Sequence, residues 1–102
     1  MDITVQELKE KLDRGDRFVF IDVREAHEYE EFNLGAQLIP LGSIMAAIPD
    51  LEEHRSDEIV VHCRSGQRSG MAQQLLQASG FMNVRNLTGG VLAWKEVFGN
   101  TR

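Results

Sequence analysis

The chain predicts an α/β fold, built as a single domain over residues 1–102 around a mainly parallel sheet flanked by helices. Two short apolar runs, FVFI at 18–21 and IVV at 59–61, lack the alternation of a half-exposed strand and predict strands covered on both faces. Stretches with apolar residues at helical spacing separate such runs, and strands alternating with helices pair in parallel. With 102 residues, 42% hydrophobic and 26% charged with two prolines, the chain supplies one modest core and argues against disorder.

Each element has a local reason. Thr4 followed by Glu7 matches a capping box, Val5, Leu8 and Leu12 line one face, and Gly15 stops a first helix over about 5–13. The FVFI strand follows, ending at Asp22. The acidic stretch Glu25–Phe32 predicts a short helix with Tyr29 and Phe32 as its inner face. A short strand over 37–39 ends at Pro40, which has no N–H to give a ladder. Ser43 is placed to cap a short helix carrying Ile44, Ala47 and Ile48 that Pro49 ends, and the polar stretch from Leu51 to Glu58 is a connection or one helical turn.

The run Ile59–Val61 is the central strand. Met71, Ala72, Leu75, Leu76 and Ser79 share helical spacing over 67–79, with Gly80 as terminator. A weaker strand over 84–87 precedes the turn Gly89–Gly90. Val91, Trp94, Val97 and Phe98 then give a last amphipathic helix, with Trp94 as a core residue.

The formal charge of −5, from 16 acidic and 11 basic residues, makes the surface as a whole a poor attractor of nucleic acid or anionic membrane. Between Cys63 and Lys95 there is nevertheless no acid, while Arg64, Arg68, Arg85 and Lys95 all fall there, so this segment reads as locally positive. The single cysteine excludes an internal disulfide and a multi-thiolate metal site, and three scattered histidines give no metal-ligand pattern. No metal or cofactor is expected. The N-terminus lacks the basic start and apolar stretch of a signal peptide, and a cytoplasmic setting is the expectation.

That cysteine stands in HCRSGQRSG, residues 62–70, directly after the central strand. Ligands of parallel sheets bind at the carboxyl ends of strands, and the clusters Asp22-Val23-Arg24 and Cys63–Arg68 both follow strands, so they are expected at one rim. Gly66 lets the loop curl so that successive N–H groups and the next helix's N-terminus aim at the Cys63 sulfur. Arg64 and Arg68 favour the thiolate in the same direction. The same arrangement would hold an oxyanion or a sulfur carrying a second sulfur. Spacing alone leaves open whether Cys63 is reactive or a buried core residue with Arg64 and Arg68 as ordinary surface charges. His62 is expected to pack or hydrogen-bond, since adjacent strand residues face opposite sides, whereas His27 and His54 are expected at the surface. Asp22 is expected to tie down a neighbouring loop, with Arg24 pairing with an acid or positioning the cysteine loop.

The ordered segments IDVREAHEYEEF, GAQLIP, VVHCRSGQRS and LTGGVLAW, spread over about Val5 to Phe98, resemble the rhodanese family of sulfurtransferases in its small single-domain form. The resemblance implies a central parallel sheet of about five strands and a Cys63 that cycles between thiolate and persulfide. It implies a sulfane sulfur taken from a donor such as thiosulfate or a persulfide and passed to cyanide, a thiol or a protein acceptor. Backbone N–H groups from Arg64, Ser65, Gly66, Gln67, Arg68 and Ser69 would cradle the transferred sulfur, and Arg64 and Arg68 would hold an anionic donor. Asp22 and Arg24 would support the active loop, and Gly89, Gly90 and Trp94 match a structural motif. The chain departs from many relatives at Glu31, Phe32 and Asn33, where a glycine-histidine pair and an isoleucine are usual. It also closes the loop with Arg68 where others use a small hydroxyl residue.

Two alternatives follow. A non-turnover relay or protein-binding module would pass a persulfide to a protein partner with little small-molecule activity. Phosphatase chemistry resembles a cysteine with five residues before its arginine. Here only Arg64, Ser65, Gly66 and Gln67 intervene before Arg68, a loop one residue shorter that fits one sulfur and crowds a phosphate.

Overall fold

The computed structural model describes residues 1–101, and along them strands and helices alternate. The strands are β1 (Val19–Asp22), β2 (Gln37–Leu38), β3 (Glu58–His62) and β4 (Asn83–Asn86). The helices are α1 (Val5–Arg14), α2 (Ala26–Glu31), α3 (Ile44–Ala47), α4 (Gln67–Ala78) and α5 (Gly90–Phe98). All strand pairs are parallel, in the spatial order β2-β1-β3-β4. The fifth strand implied by the resemblance contracts to one parallel bridge between Ile3 and Leu87. The reason is local: Thr4 already serves as the N-cap of α1, so no residues are left to extend a strand beyond Ile3.

The period-2 rule sorts the central strands onto two faces. Ile21, Val23, Ile59, Val61 and Cys63 face a cluster closed by Ile44, Leu51, Ala72 and Leu76. Val60 faces the opposite cluster with Ile3, Val5, Leu8 and Trp94, flanked by Phe18 and Phe20. The sheet thus lies between α1 with α5 on one side and α3 with α4 on the other, which is why its strands read as continuous apolar runs. Burying each Leu, Ile or Val side chain contributes roughly 1.5–3 kcal/mol.

Local signals held where they were purely local. The capping box of Thr4 and Glu7 forms, and Gly15 ends α1 with φ of +71°. Other readings change. Met71 and Leu75 point outward, being 56% and 37% exposed, whereas Ser69, Ala72 and Leu76 form the buried line of α4 against the sheet. Val97 is exposed at 48%, leaving Val91 and Trp94 as the buried residues of α5 besides Gly90.

Ser43 makes no side-chain cap. It lies in a 3-10 turn, Leu41–Ser43, whose backbone bond from Ser43 N–H to the Pro40 carbonyl spans 2.7 Å. The segment Ile48–His54 is a second 3-10 turn with Pro49 at its start, so α3 tightens at the proline where a clean stop was expected. In α2 no residue is fully buried. Tyr29 is anchored by its hydroxyl donating to the Ala36 carbonyl at 2.7 Å, and Phe32 caps the end of the helix. Among the described residues no helix is long and apolar enough to cross a membrane.

Candidate functional site

Strand β3 carries Cys63 to the carboxyl rim of the sheet and stops there because the chain turns at once into the loop. Gly66 takes φ of +104°, a left-handed conformation that side chains disfavour, and α4 starts at Gln67. This geometry wraps the backbone around the sulfur. Cys63 Sγ accepts hydrogen bonds from Gly66 N–H at 3.1 Å and Ser69 N–H at 3.4 Å, and the Ser69 hydroxyl lies at 3.3 Å. Cys63 is 1% exposed, and the burial pushes its thiol pKa up. The Ser69 hydroxyl and the N–H groups of Ser69, Gly66 and Ser65 pull it down and prevail, so the thiol ionises below its ordinary value.

Asn86, at the end of β4, was not singled out by any sequence signal. Its Nδ2 donates to the Gly66 carbonyl at 3.1 Å, and its Oδ1 lies 2.6 Å from Ser69 Oγ. One amide therefore fixes two of the residues that donate to the sulfur, Gly66 and Ser69. The single Ser69 hydroxyl proton has two acceptors, the sulfur and the Asn86 oxygen. An isolated asparagine in a weakly signalled strand looks like turn chemistry, and only the β3–β4 register brings it beside the loop.

The two-glycine turn backs the loop from behind. Val91 N–H donates to the Cys63 carbonyl and Leu92 N–H to the Arg64 carbonyl, both at 3.0 Å. A Cβ on Gly90, whose φ is +59°, would lie 2.5 Å from the Cys63 carbonyl oxygen and 2.6 Å from that of Arg64. The loop's carbonyls are thus satisfied from α5 while its N–H groups are left for the sulfur.

Asp22 and Arg24 do meet the cysteine loop's rim, and they are tied to one another. Asp22 Oδ1 accepts from the Arg24 N–H and from Arg24 Nε, both at 3.0 Å, and Arg24 Nη2 reaches Asp22 Oδ2 at 2.8 Å and the Phe32 carbonyl at 2.7 Å. Both residues are buried, as a charge pair this deep requires. The pair clamps the β1–α2 connection to the end of α2. Nearby, Asn33 does turn-building work of its own. Its Nδ2 donates to the Tyr29 carbonyl and its Oδ1 accepts from Gly35 N–H, so the departure at Glu31-Phe32-Asn33 makes a closed turn.

His62 faces away from Cys63, as strand alternation requires, and stacks at 5.3 Å centroid distance on Phe20. It is wholly buried with neither ring nitrogen hydrogen-bonded, its Nε2 standing 3.5 Å from Asp22 Oδ2. Burial lowers its pKa to about 4, against the pull of the Asp22 charge, so the ring is neutral at pH 7. Of the two expectations for His62, packing holds. His27 is exposed, while His54 is half-buried and pairs with Asp57 at 2.9 Å.

The arginines behave differently from one another. Arg64 is exposed and lines a shallow cleft of about 140 Å³ with Arg24, Glu28, Phe32, Leu92 and Lys95. Arg68 turns to Glu28 and makes a bidentate pair, with Nη1–Oε2 at 2.7 Å and Nη2–Oε1 at 2.9 Å. Its attraction to the Cys63 charge is secondary to that pair. Hydrogen bonds from Ser69, Gly66 and Ser65 therefore dominate at the sulfur. The segment expected to be locally positive is balanced in part by acids from earlier in the chain, Glu28 on Arg68 and Glu58 on Arg85 at 2.7 Å, whereas Arg64 and Lys95 have no salt-bridge partner among the described residues.

The rhodanese-like domain family model matches residues 4–97. The chain is 36% identical over 94 residues to "Putative sulfur carrier protein YrkF" of Bacillus subtilis, covering 91% of this chain and 50% of that protein. It is 35% identical over 98 residues to "Adenylyltransferase and sulfurtransferase MOCS3-2" of Zea mays, covering 90% of this chain and 20% of that one. It thus spans half or less of the length of these two relatives. The solution structure of the rhodanese-like domain of the Anabaena protein Alr3790 superposes with a TM-score of 0.84 at 31% identity, covering 99% of this chain and 77% of that one. With four matched segments in order, a parallel sheet delivering the one cysteine to its rim, and a family model spanning nearly its whole length, this chain belongs to the rhodanese-like domain family.

Proposed function

We propose that the chain is a sulfurtransferase that moves a sulfane sulfur through a persulfide on Cys63. The observation that carries the reading is the ring of donors on Cys63 Sγ, from Gly66 N–H, Ser69 N–H and the Ser69 hydroxyl, which stabilises negative sulfur in a buried place. In the first half-reaction the Cys63 thiolate attacks the outer sulfur of thiosulfate or a persulfide. A new S–S bond forms, and sulfite or a thiolate leaves with the electron pair of the bond that breaks. In the second, cyanide or a thiol attacks the outer sulfur, and Cys63 departs as thiolate. The loop's N–H groups stabilise the charge in both resting forms, and Arg64 and Arg68 are the loop's own cations for holding an anionic donor. A Gly66 N–H only 3.1 Å from the sulfur favours one added atom over a tetrahedral phosphate, which supports sulfur transfer over phosphatase chemistry.

The relay reading, in which a protein thiol is the acceptor, uses the same first half-reaction, and the sulfur-carrier name of the Bacillus relative favours keeping it. Incubation of the native protein with thiosulfate or an alkyl persulfide should raise its intact mass by one sulfur atom, and Cys63→Ser should abolish the gain. Failure of either donor to add sulfur, or loading of the serine variant, refutes the proposal. Discharge to a protein thiol with no discharge to cyanide selects the relay.

A further inference from the structure

Three arginines surround the rim that holds Cys63, but two of them are already neutralised. Arg24 is 4% exposed and spends its guanidinium on Asp22 and the Phe32 carbonyl. Arg68 is held face to face by Glu28 in the fork geometry that makes such pairs strong. Glu28 is not casually placed. It caps its own helix by accepting the Glu25 N–H at 2.9 Å, and its side chain is 19% exposed. Arg68 pulls its carboxyl down to about 2, so Glu28 is charged throughout the working pH range. Among the described residues Arg64 has no carboxylate in salt-bridge range. It shares its cleft with Glu28 and Glu31 as well as Lys95.

A dianionic donor entering this rim finds Arg64 without a carboxylate partner among the described residues, but finds Arg24 and Arg68 already paired. Thiosulfate must compete with Glu28 for Arg68, whereas a persulfide, carrying a single charge and a thiolate leaving group, needs less of that guanidinium. Resting on the sulfur-transfer reading above, we propose that Glu28 is a specificity-determining residue: it withholds Arg68 from incoming anions, so the loop takes its sulfur from persulfides in preference to the thiosulfate dianion.

The test is a donor comparison at one pH with native protein, Glu28→Gln, Arg68→Gln and the double variant. Thiosulfate and a small alkyl persulfide serve as donors, and sulfur loading of Cys63 is followed by mass. Gln keeps an oxygen for the Glu25 N–H, and a second variant, Glu28→Ala, with thermal melts on all proteins separates altered specificity from altered folding. The ratio of thiosulfate to persulfide kcat/KM should rise about tenfold in Glu28→Gln, chiefly through a lower KM for thiosulfate. Removing Arg68 should cost thiosulfate loading several-fold more in the Glu28→Gln background than in the native one, since only there is the guanidinium free. An unchanged donor ratio in both Glu28 variants, or equal losses from Arg68→Gln in both backgrounds, overturns the inference while leaving sulfur transfer intact. If neither donor loads the native protein, sulfur transfer fails and the inference falls with it.

Discussion

Ser69 illustrates how much one residue contributes at the sulfur. Its N–H and its hydroxyl both reach Cys63 Sγ, so it supplies two of the groups that lower the thiol pKa against burial. Ser69→Ala keeps the N–H and deletes the hydroxyl, and should raise the thiol pKa by about one unit, the worth of one hydrogen bond to a charged group. The rate of alkylation against pH measures it; a profile superimposable on the native one would show that the hydroxyl proton stays on Asn86. Sequence reading placed Ser69 in the loop through its backbone N–H and overlooked the hydroxyl. It also assigned more of the thiolate's stabilisation to Arg64 and Arg68 than the geometry gives them. Charge near a cysteine is visible in sequence, whereas the direction in which a long guanidinium stem turns is decided by where its carboxylate stands.

At the scale of elements, β3 and the start of α5 together make the loop what it is. The strand delivers Cys63, and α5 holds the loop's carbonyls through Val91 and Leu92. Gly90 is the point of closest approach. Gly90→Ala should destabilise the protein by more than about 2 kcal/mol, because the new methyl group meets the carbonyls of Cys63 and Arg64 in a left-handed conformation. Gly15 has a similar φ of +71° with open space around it, so Gly15→Ala should cost only about 1 kcal/mol. Chemical denaturation of the two variants separates the conformational cost from the clash, and equal losses would argue against the close packing. Helix existence and the alternation of strands with helices were legible from periodicity and from turn residues. The outward face of α4 was not, since Met71 and Leu75 are as apolar as Leu76 and only the direction of the sheet distinguishes them.

For the molecule as a whole, two buried or half-buried groups tie stability to pH. His62 has a folded pKa of about 4 against an ordinary 6.5, so the unfolded chain binds its proton first as pH falls. Stability is full above about 6.5 and is lost as the pH drops through 6.5 to 4, by up to about 3 kcal/mol. Glu28 has a folded pKa of about 2 against an ordinary 4.5; its contribution is present above 4.5 and is lost between 4.5 and 2. Denaturation midpoints taken from pH 7 to 4 should fall for the native protein and fall less for His62→Phe, which has no proton to take up. Parallel curves would mean that His62 becomes charged without cost.

The sequence by itself determined the alternation of elements, the strand that carries the cysteine, the curling loop with Gly66, and the family, because each rests on neighbours a few residues apart. Only the tertiary structure decided the partners. Arg68 pairs with Glu28 across 40 residues, Arg85 with Glu58 across 27, and Asn86 reaches back 17 to Ser69. Two of the four cations in a segment with no acid of its own are thereby paired. Strand order and register set which side chains meet, and these contacts between distant residues leave no periodic trace in the chain.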